Sequence, residues 1–450
     1  MFRDLRGFIK LLESSNELIH IQEELSTEYE IAAALRYVLE KKRAAVLFEK
    51  VKGYEIPIVG NLLGTKKRLA IALGVGEQEV DKAFRNRRRS PIKPKIVTKA
   101  PAQEVIMDRE VDICKTIPVL RHHEEDASPY FTSALTIARD PETGVLSMGL
   151  HRIQVKSKDT IGIYIATPPL SDFVAKAKQK GKPLDIVIAS GVDPFTFLSG
   201  CTPAPEGINK FDAAGGLAQA PIELVRCHSV NLEAPANAEF LLEGELFPDR
   251  CEPEGPFGES TGYYFTYNNP VAKIKVISHR HSPIYHALLP FSSEDNTLLK
   301  LLVAEFFPSL QSAFPCVQQV NCRSFSGGLL IVQIKKTSEK EAINIIEHLL
   351  PIPWVKIVMV TDEDVDIWNP EEVDWALSRV RFNKDLFLKS DLPGIAIDPV
   401  AIEAAPGLSP RITKIGFDAT KPFAERERFK RIDIPSAVKK KVATILKGIT

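Results

Sequence analysis

Between residues 104 and 290 the sequence is a succession of short β-rich runs with little helical pattern between them. DFVAKAKQKG is the clearest stretch with a helical period in this region. Such a succession is typical of a β-barrel or a split barrel. Seven runs carry the prediction: FTSALTIA, LHRIQVK, TIGIYIA, DIVIAS, EFLLEGEL, AKIKVISH and PIYHALL.

Alternating helix and strand patterns flank this region. Before it, DLRGFIKLLESS and YEIAAALRYVLEKK have helical spacing, whereas ELIHIQE, AAVLFEKV and IPIVGNLL have the pattern of buried strands. After it, DNTLLKLLVAEFFPSLQSAF predicts a long helix, and a second α/β set follows. The predicted fold therefore mixes α/β and β in four segments: an N-terminal α/β unit (1–103), a central split β-barrel (104–293), a connecting helix (294–314) and a C-terminal α/β domain with its tail (315–450).

Charge and composition limit the classes of partner. Lys plus Arg and Asp plus Glu number 58 each, so no overall field attracts nucleic acid or an anionic membrane. No run approaches the roughly 20 apolar residues of a membrane span, and the start MFRDLRGFIKLLESS has no apolar signal-peptide core. The six cysteines lack a CxxC pair, which suits reduced thiols. We therefore expect a cytoplasmic protein with no nucleic-acid partner and no membrane span.

Two carboxylates flank a Gly-Pro sequence in the stretch EPEGPFGE, residues 252–259. Proline fixes φ and removes a donor while glycine permits positive φ, so we expect a rigid turn between Glu254 and Glu259 rather than a helix or a strand. Carboxylates held in this way can divide acid and base roles if their surroundings separate their pKa values. A solvated acidic turn is the alternative interpretation.

Three further stretches indicate a polar site. GLHRIQV places Arg152 in an apolar strand, where a guanidinium without a carboxylate partner or an anionic ligand is costly. PIELVRC embeds Glu223 in a similar apolar context. GINKFDAAGGLAQAP predicts a loop of small residues around Lys210, of the kind that lets a backbone approach a ligand closely.

Taken together, these stretches resemble the UbiD family of decarboxylases, whose members use prenylated FMN. The combination of EGPFGExxGY with ELVRC at this distance is the most specific part of the resemblance. It covers most of the chain, through YFTSALTIARD, GLHRIQV, TPPLSDF, SGCTPAPEG, PIELVRC, EGPFGESTGY, VTDEDVDIWNPEEVDWALSRV and KIGFDATKP.

The resemblance implies a fold and a set of roles. The split barrel would hold the flavin, and the C-terminal domain would serve self-association as a homodimer or a larger homo-oligomer. An arginine and two glutamates act over the flavin in the family, and the matching positions are Arg152, Glu254 and Glu259. Glu259 would donate the proton that replaces carbon dioxide, and Glu254 would pair with Arg152 to align the guanidinium for the substrate carboxylate or for the flavin edge. The substrate would be an aromatic or α,β-unsaturated carboxylic acid, and a flavin prenyltransferase would supply the cofactor.

The sequence departs from the family at the metal that anchors the flavin phosphate. Relatives hold a divalent metal, usually with potassium beside it, through an Asn, a His and a Glu. The matching positions in this chain are Ser147, Ser171 and Lys210. We therefore expect neither manganese nor potassium at that site.

Lys210 has two interpretations. A flavin phosphate carries about −1.5 to −2 charges, so the ammonium could hold it in place of the metal, with Ser147 and Ser171 donating hydroxyl hydrogen bonds. Alternatively, Lys210 pairs with Asp212 or Glu223, and no flavin binds.

The resemblance places further residues near the flavin, and some have a plain structural interpretation too. His151 is either a pocket residue or a packed histidine at a strand edge, threonine is common in any strand, and Cys201 is equally a buried structural cysteine. The HHEED stretch at 122–126 is interpreted as a solvated strand, because adjacent strand residues point to opposite sides. The predicted cofactor-binding residues are Thr132, Ser147, Leu150, His151, Arg152, Leu170, Ser171, Cys201, Thr202 and Lys210.

Three hypotheses of function follow from these patterns. The first is a reversible, non-oxidative decarboxylase that holds prenylated FMN without the usual metal. The second is a cofactor-free, non-catalytic UbiD-like subunit that pairs with an active relative in a mixed complex. The third is a decarboxylase that uses another phosphorylated ligand.

Overall fold

The computed structural model describes residues 2–324, 327–401 and 410–446. The chain divides into two compact units, Met1–Phe306 and Phe307–Thr450, with the boundary inside the predicted connecting helix. The first unit contains both the N-terminal α/β region and the β-rich region. The four-segment division inferred from sequence stays a prediction.

Several helices of the first unit begin at a residue whose side chain caps the helix. The Asp4 side chain accepts a hydrogen bond from the amide of Gly7, and Thr65 accepts one from the amide of Arg68. Short 3-10 helices cover Glu77–Glu79 and Pro101–Gln103. The α-helices are α1 (Leu5–Ser14), α2 (Glu30–Lys41), α3 (Lys66–Leu73), α4 (Val80–Arg88), α5 (Ile113–Thr116), α6 (Leu170–Gln179), α7 (Pro194–Cys201), α8 (Lys210–Ala218) and α9 (Ser293–Ala313), whose last residues belong to the second unit.

The strands of this unit follow the predicted β-rich runs, with two long strands near the end. They are β1 (Leu18–Ile21), β2 (Ala45–Phe48), β3 (Ile58–Gly60), β4 (Lys95–Val97), β5 (Val105–Met107), β6 (Tyr130–Phe131), β7 (Leu135–Arg139), β8 (Leu146–Leu150), β9 (Ile153–Val155), β10 (Thr160–Ile163), β11 (Leu184–Ser190), β12 (Glu223–Arg226), β13 (Glu233–Pro235), β14 (Phe240–Gly258), β15 (Tyr264–His279) and β16 (Tyr285–Ala287).

A nine-stranded antiparallel sheet confirms the predicted split barrel. Its strand order is β6-β9-β10-β15-β14-β11-β7-β8, and β5 adds to β15. The sheet curls into a half-barrel around an apolar core. Ile161, Ile188, Leu242 and Ile274 are buried members of that core. The mixed α/β and β fold class predicted from the sequence is therefore confirmed.

Two smaller sheets complete the first unit. One has the order β1-β2-β3-β16, and the other has the order β13-β12-β4. The run PIYHALL, which we assigned to the barrel, supplies β16, which lies parallel to β3 in the N-terminal sheet. A run of three or four apolar residues does not show which sheet the strand will join, because the partner of a parallel strand is distant in sequence.

The predicted turn at residues 252–259 is wrong, because most of the stretch lies within β14. Glu254 pairs with Tyr267 and Phe257 pairs with Phe265, so two residues of β14 bulge between these pairs. The Gly-Pro sequence supplies the bulge, with φ of 119° at Gly255. Glycine and proline are favoured in both β-bulges and turns for the same conformational reasons. The local sequence therefore does not distinguish a bulge from a turn.

The predicted small-residue loop around Lys210 is also wrong, because residues 210–218 form α8. Asn209 caps the helix by accepting a hydrogen bond from the amide of Phe211 at 2.8 Å. A Cβ added at Gly215 would lie 2.2 Å from the carbonyl oxygen of Ile92. The small residues therefore allow close packing against the chain near residue 92 rather than an approach to a ligand.

The second unit has an α/β fold built on a five-stranded sheet, as predicted. The strands are ordered β17-β18-β19-β21-β20, with β18, β19 and β21 parallel to one another. Short 3-10 helices cover Leu377–Arg379 and Phe423–Phe429. The elements are β17 (Val317–Ser324), β18 (Leu329–Ile334), α10 (Glu341–Leu349), β19 (Ile357–Asp362), α11 (Pro370–Ala376), β20 (Leu386–Pro393), β21 (Arg411–Ala419) and α12 (Ser436–Leu446). In the described parts of the chain, no helix has both the length and the apolar character needed to cross a bilayer.

Candidate active site

A cavity of about 210 Å³ lies in the first unit, at the half-barrel sheet. One part of its wall is apolar and includes Leu150, Phe257, Leu288 and Leu299. Another part is polar and carries ionisable groups, among them His151, Arg152, Glu259 and Asp295. An apolar cavity with a few convergent charged groups is the usual form of a small-molecule site.

Arg152 lies in the break between β8 and β9 and is the central cation of the site. Its Nε and Nη2 atoms donate to Oε2 of Glu254 at 3.1 and 2.6 Å. Its Nη1 atom donates a short hydrogen bond to Oε1 of Glu259. Burial acts to lower the pKa of Arg152, but the two carboxylates outweigh burial and raise it. The guanidinium therefore stays charged and bridges Glu254 and Glu259.

Three aromatic rings surround the guanidinium. Its carbon lies 4.8 Å from the ring centre of Tyr164, 5.1 Å from that of Phe257 and 5.5 Å from that of Tyr267. Tyr164 and Tyr267 are themselves stacked, with ring centres 4.9 Å apart. Burial raises the pKa of Tyr164 to about 12. The rings exclude water and add cation–π attraction, which strengthens the ion pairs of Arg152.

Glu254 is fully buried behind the guanidinium. Its Oε2 atom also accepts a hydrogen bond from Nδ2 of Asn269 at 3.0 Å. Burial raises the pKa of Glu254, and the attraction of Arg152 opposes the rise. In the described part of the chain, Oε1 of Glu254 and the hydroxyl of Tyr130 have no well-formed hydrogen-bond partner. Burial and the neighbouring Glu254 raise the pKa of Tyr130.

Glu259 reaches the cavity from the end of β14. The backbone holds it there, since its amide donates to the carbonyl of Tyr263 at 2.9 Å and its carbonyl accepts from Gly262 at 2.8 Å. Asp295, in the first turn of α9, lines the same cavity and accepts a hydrogen bond from the amide of Phe291 at 2.9 Å. Burial raises the pKa of Asp295 to about 6, and the charge of Glu259 adds to the rise.

Lys210 is a buried cation at the start of α8. Its Nζ atom donates to the carbonyl of Gly200 at 3.0 Å. Burial lowers the pKa of Lys210 to about 8. The ammonium lies near the cavity residue His151, whose pKa is lowered to about 3 by burial and by the charge of Lys210. A buried ammonium without a countercharge is costly, so this position has the character of an anion site.

The pairing of Lys210 with Asp212 or Glu223, considered as an alternative above, is not found. Glu223 instead pairs with Nζ of Lys95 at 2.9 Å and accepts a hydrogen bond from Asn237. Among the residues that the structure describes, no carboxylate forms an ion pair with Lys210.

The remaining predicted residues divide between the cavity wall and its surroundings. Thr132 and Leu150 line the cavity together with His151, Arg152 and Glu259. Thr132 donates its hydroxyl hydrogen bond to the carbonyl of Leu288 at 2.6 Å. Six of the predicted cofactor-binding residues stand outside the cavity lining formed by the described residues: Ser147 on β8, Leu170 and Ser171 at the start of α6, Cys201 at the end of α7, Thr202 after it and Lys210 at the start of α8.

The residues at the three metal-ligand positions do not suit a divalent cation. Lys210 brings a positive charge and no lone pair while it is protonated, and the other two positions offer neutral hydroxyls. The described residues contain no group of three His, Cys, Asp or Glu side chains arranged to hold a metal. The residues do suit a phosphate, because two of the three Lys210 donors remain available beyond the bond to Gly200.

Sequence reasoning missed several residues of the site. Tyr164 and Tyr267 flank the guanidinium, Asn269 and Tyr130 approach Glu254, and Asp295 lines the cavity. The alternation of residue types in TIGIYIA predicts that the Tyr164 side chain lies on one face of a strand. It does not show which residue that side chain contacts. The two consecutive acids that begin α9 are also typical of an ordinary helix N-terminus, where carboxylates are favoured.

Three family profiles match successive parts of the chain. They are described as the N-terminal domain, the Rift-related domain and the C-terminal domain of 3-octaprenyl-4-hydroxybenzoate carboxy-lyase, known as UbiD. The matched residues are 9–87, 95–293 and 296–419 respectively.

Full-length relatives are similar over nearly the whole chain. The anhydromevalonate phosphate decarboxylase of Methanothermobacter thermautotrophicus is 31% identical, over 95% of this chain and 99% of its own. The phenolic acid decarboxylase of Sedimentibacter hydroxybenzoicus is 33% identical, over 94% of this chain and 92% of its own.

Solved structures show the same fold. The UbiD-class enzyme HmfF from Pelotomaculum thermopropionicum, in complex with FMN, has a TM-score of 0.89 at 34% identity and covers 98% of this chain and 99% of its own. The closed form of the vanillic acid decarboxylase of Sedimentibacter hydroxybenzoicus, ShVdcCD, has a TM-score of 0.86 at 30% identity and covers 100% of this chain and 99% of its own.

Proposed function

Because the chain belongs to the UbiD family of carboxy-lyases, we propose that it decarboxylates an aromatic or α,β-unsaturated carboxylic acid with a prenylated flavin held without the usual metal. Lys210 would hold the flavin phosphate in place of that metal. The observation that carries the proposal is the buried Lys210 ammonium, which has no carboxylate partner among the described residues and lies near the cavity residue His151. Such a cation destabilises the fold unless an anion offsets it.

The relatives support the choice of cofactor and reaction. One solved relative is in complex with FMN, and an evolved dimeric form of it is in complex with prenylated FMN. Another is named a vanillic acid decarboxylase. A phosphate of about −1.5 to −2 charges suits the available donors of Lys210, and the rings of Tyr164 and Phe257 suit a planar group in the cavity.

In this proposal Arg152 binds and orients the substrate carboxylate. Its guanidinium is held by Glu254, whose Oε2 atom accepts from both Nε and Nη2. This fixes the plane of the guanidinium, so its outer edge is presented to the cavity without side-chain motion. Tyr164 and Tyr267 exclude water from the ion pairs.

Glu259 supplies the proton that replaces carbon dioxide. Cleavage of the bond between the substrate carbon and its carboxylate leaves an electron pair on that carbon, and a protonated Glu259 donates the hydrogen that completes the product. When bound, the prenylated flavin supplies the electron-accepting centre that lowers the barrier to this cleavage. Arg152 contacts both acids, so it can stabilise the Glu259 carboxylate that proton donation leaves behind.

The oligomeric state that we propose for this chain is based on its solved relatives. One solved relative is an evolved dimeric form, and another is ShVdcCD with a truncated ShVdcD. We propose a homodimer or larger homo-oligomer here, with a flavin prenyltransferase as the source of cofactor. The replacement of the three metal-ligand side chains by Ser147, Ser171 and Lys210 also favours a second candidate, a cofactor-free subunit that keeps the fold and joins an active relative.

Co-expression with a flavin prenyltransferase distinguishes the two candidates. The first predicts a purified protein with flavin absorbance that releases carbon dioxide from a panel of aromatic and unsaturated acids. A colourless protein that turns over no acid and co-purifies with a second UbiD-like chain would instead establish the second.

A further inference from the structure

The HHEED stretch, interpreted from sequence as a solvated strand, lies against the acid-bearing end of β14. His122 and Asp126 are buried, so the prediction of a solvated segment is wrong for them. Asp126 is fully buried, and its Oδ1 atom accepts a hydrogen bond from the amide of Gly258 at 2.9 Å. Its Oδ2 atom accepts from the amides of His122 at 3.1 Å and His123 at 2.8 Å. One carboxylate thus joins its own loop to the residue before Glu259.

Further contacts attach the same loop to β14 and its partner strand. The amide of Ala127 donates to the carbonyl of Pro256 at 2.8 Å. The His123 ring packs edge-on against Tyr264, with ring centres 6.5 Å apart. A Cβ added at Gly258 would lie 2.6 Å from Nδ1 of His123, so the loop and the strand approach closely. The loop therefore holds the strand on both sides of Phe257, in the interval between the two acids.

This interval is one of three places where the register of β14 shifts against β15. The register shifts between Glu254 and Phe257, and Pro256 has no amide to donate to the neighbouring strand. Contacts from outside the ladder therefore add to the ladder pairs of Phe257 and Gly258 in setting the distance between the two carboxylates. Asp126 and Ala127 supply such contacts at Gly258 and Pro256.

We propose that Asp126 is a positioning residue, which fixes Gly258 and thereby sets Glu259 against Arg152 and Glu254. This inference rests on the proposed function for its catalytic consequence, but not for the contact itself. Asp126 lies outside the cavity wall formed by the described residues and acts through the backbone. Loss of one charged acceptor costs about 1.5–3 kcal/mol, which corresponds to about a 10- to 100-fold increase in local opening.

Asp193 offers a matched control. It is also buried, and its Oδ1 atom accepts from the amides of Phe195 at 2.9 Å and Thr196 at 3.0 Å. These bonds cap α7 and do not reach β14. Replacing either aspartate by asparagine exchanges one acceptor oxygen for an NH2 group, so the two variants lose the same chemistry at different places.

The test compares Asp126→Asn with Asp193→Asn in the full chain. Hydrogen exchange is measured by mass spectrometry on peptides that cover residues 252–259. We expect exchange in these peptides to be about 10- to 100-fold faster in Asp126→Asn and unchanged in Asp193→Asn. In flavin-loaded protein, we expect kcat to fall by a similar factor in Asp126→Asn while KM stays constant, because misplacement of a proton donor affects the chemical step.

Equal exchange in the two variants would overturn the proposal, and so would faster exchange in Asp126→Asn with kcat and its pH profile unchanged. If Asp126→Asn does not fold, Asp126→Glu retains both acceptors but moves them by one methylene, and the same comparison applies. If the wild-type protein decarboxylates no acid, the proposed function fails, while the exchange measurement still decides whether Asp126 holds the segment.

Discussion

The guanidinium of Arg152 donates two hydrogen bonds to a single oxygen of Glu254, from Nε at 3.1 Å and from Nη2 at 2.6 Å. Glu254 has no exposed surface, and Arg152 is 8% exposed. This ion pair joins residues that are 102 positions apart in the sequence, and it fixes the orientation of the guanidinium in the site. It leaves Nη1 of the same guanidinium for Glu259, the acid at the cavity wall.

Breaking this pair should destabilise the fold. Arg152→Met leaves the buried Glu254 without a countercharge, so we expect the free energy of unfolding at pH 7 to fall by about 3–5 kcal/mol. Adding Glu254→Gln removes the uncompensated charge, so the double variant should recover at least half of the loss. Urea unfolding of the wild type, the two single variants and the double variant measures both effects. A loss below about 1 kcal/mol in Arg152→Met would contradict the assignment of a tight buried pair.

Glu259→Gln should separate chemistry from cofactor binding. The amide retains the shape of the side chain but has no acidic proton to donate, and a positioned general acid contributes about 10²–10⁴-fold to rate. We expect kcat to fall by that factor while flavin absorbance and KM stay near wild-type values. Glu252→Gln is the control and should retain activity, because Glu252 is a half-buried neighbour that pairs with Arg250 and Lys156. Full activity in Glu259→Gln would show that another group donates the proton.

Lys210 should impose a pH-dependent cost on the cofactor-free protein. Burial lowers its pKa from 10.5 to about 8. Between these values the unfolded chain binds the proton and the folded chain does not, so stability rises with pH from about 8 to 10.5. Lys210→Met should therefore raise the free energy of unfolding at pH 7 by about 1–3 kcal/mol, and the gain should shrink towards pH 10.5.

Urea unfolding of Lys210→Met at several pH values measures this gain. Lys95→Met is the control, because that lysine is exposed and paired with Glu223. It should show no gain in stability at any pH. A Lys210→Met protein less stable than the wild type at pH 7 would mean that the ammonium is compensated in the folded chain.

Asp295 should have the opposite pH dependence. Burial raises its pKa from 3.8 to about 6, so the folded chain holds a proton that the unfolded chain releases in this interval. Stability is therefore lost as pH rises from about 4 to 6, by up to about 3 kcal/mol. Asp295→Asn should match the wild type near pH 4 and exceed it at pH 7.5. The exposed Asp249→Asn should follow the wild-type curve throughout, and a pH-independent difference for Asp295→Asn would contradict the burial of the charge.

The sequence predicts most of the secondary structure because the spacing of apolar residues along the chain is a local property. FTSALTIA and DIVIAS supply β7 and β11, and DFVAKAKQKG lies largely within α6. It fails where tertiary contacts override local preference. Gly215 lowers the helix propensity of α8, but the Asn209 cap and the close packing on Ile92 stabilise the helix.

The site was predictable only in part for the same reason. Motif resemblance indicated Arg152, Glu254 and Glu259 as a group, and the structure brings them into contact. Tyr164 follows the end of β10 and Tyr267 lies on β15, so no local pattern identifies them as neighbours of Arg152. The sequence predicts a solvated Asp126. That prediction is wrong because the carboxylate accepts a hydrogen bond from Gly258, which is distant in sequence.

Binding of FMN in metal-free buffer with a chelator tests most directly whether Lys210 replaces the metal. We expect the wild-type protein to bind FMN equally well with and without the chelator. Lys210→Met should bind about 10- to 100-fold more weakly, which corresponds to one charged hydrogen bond. Wild-type affinity should also fall as pH rises above about 8, where Lys210 loses its charge. Binding that requires a divalent metal, or that is unchanged in Lys210→Met, would contradict the account.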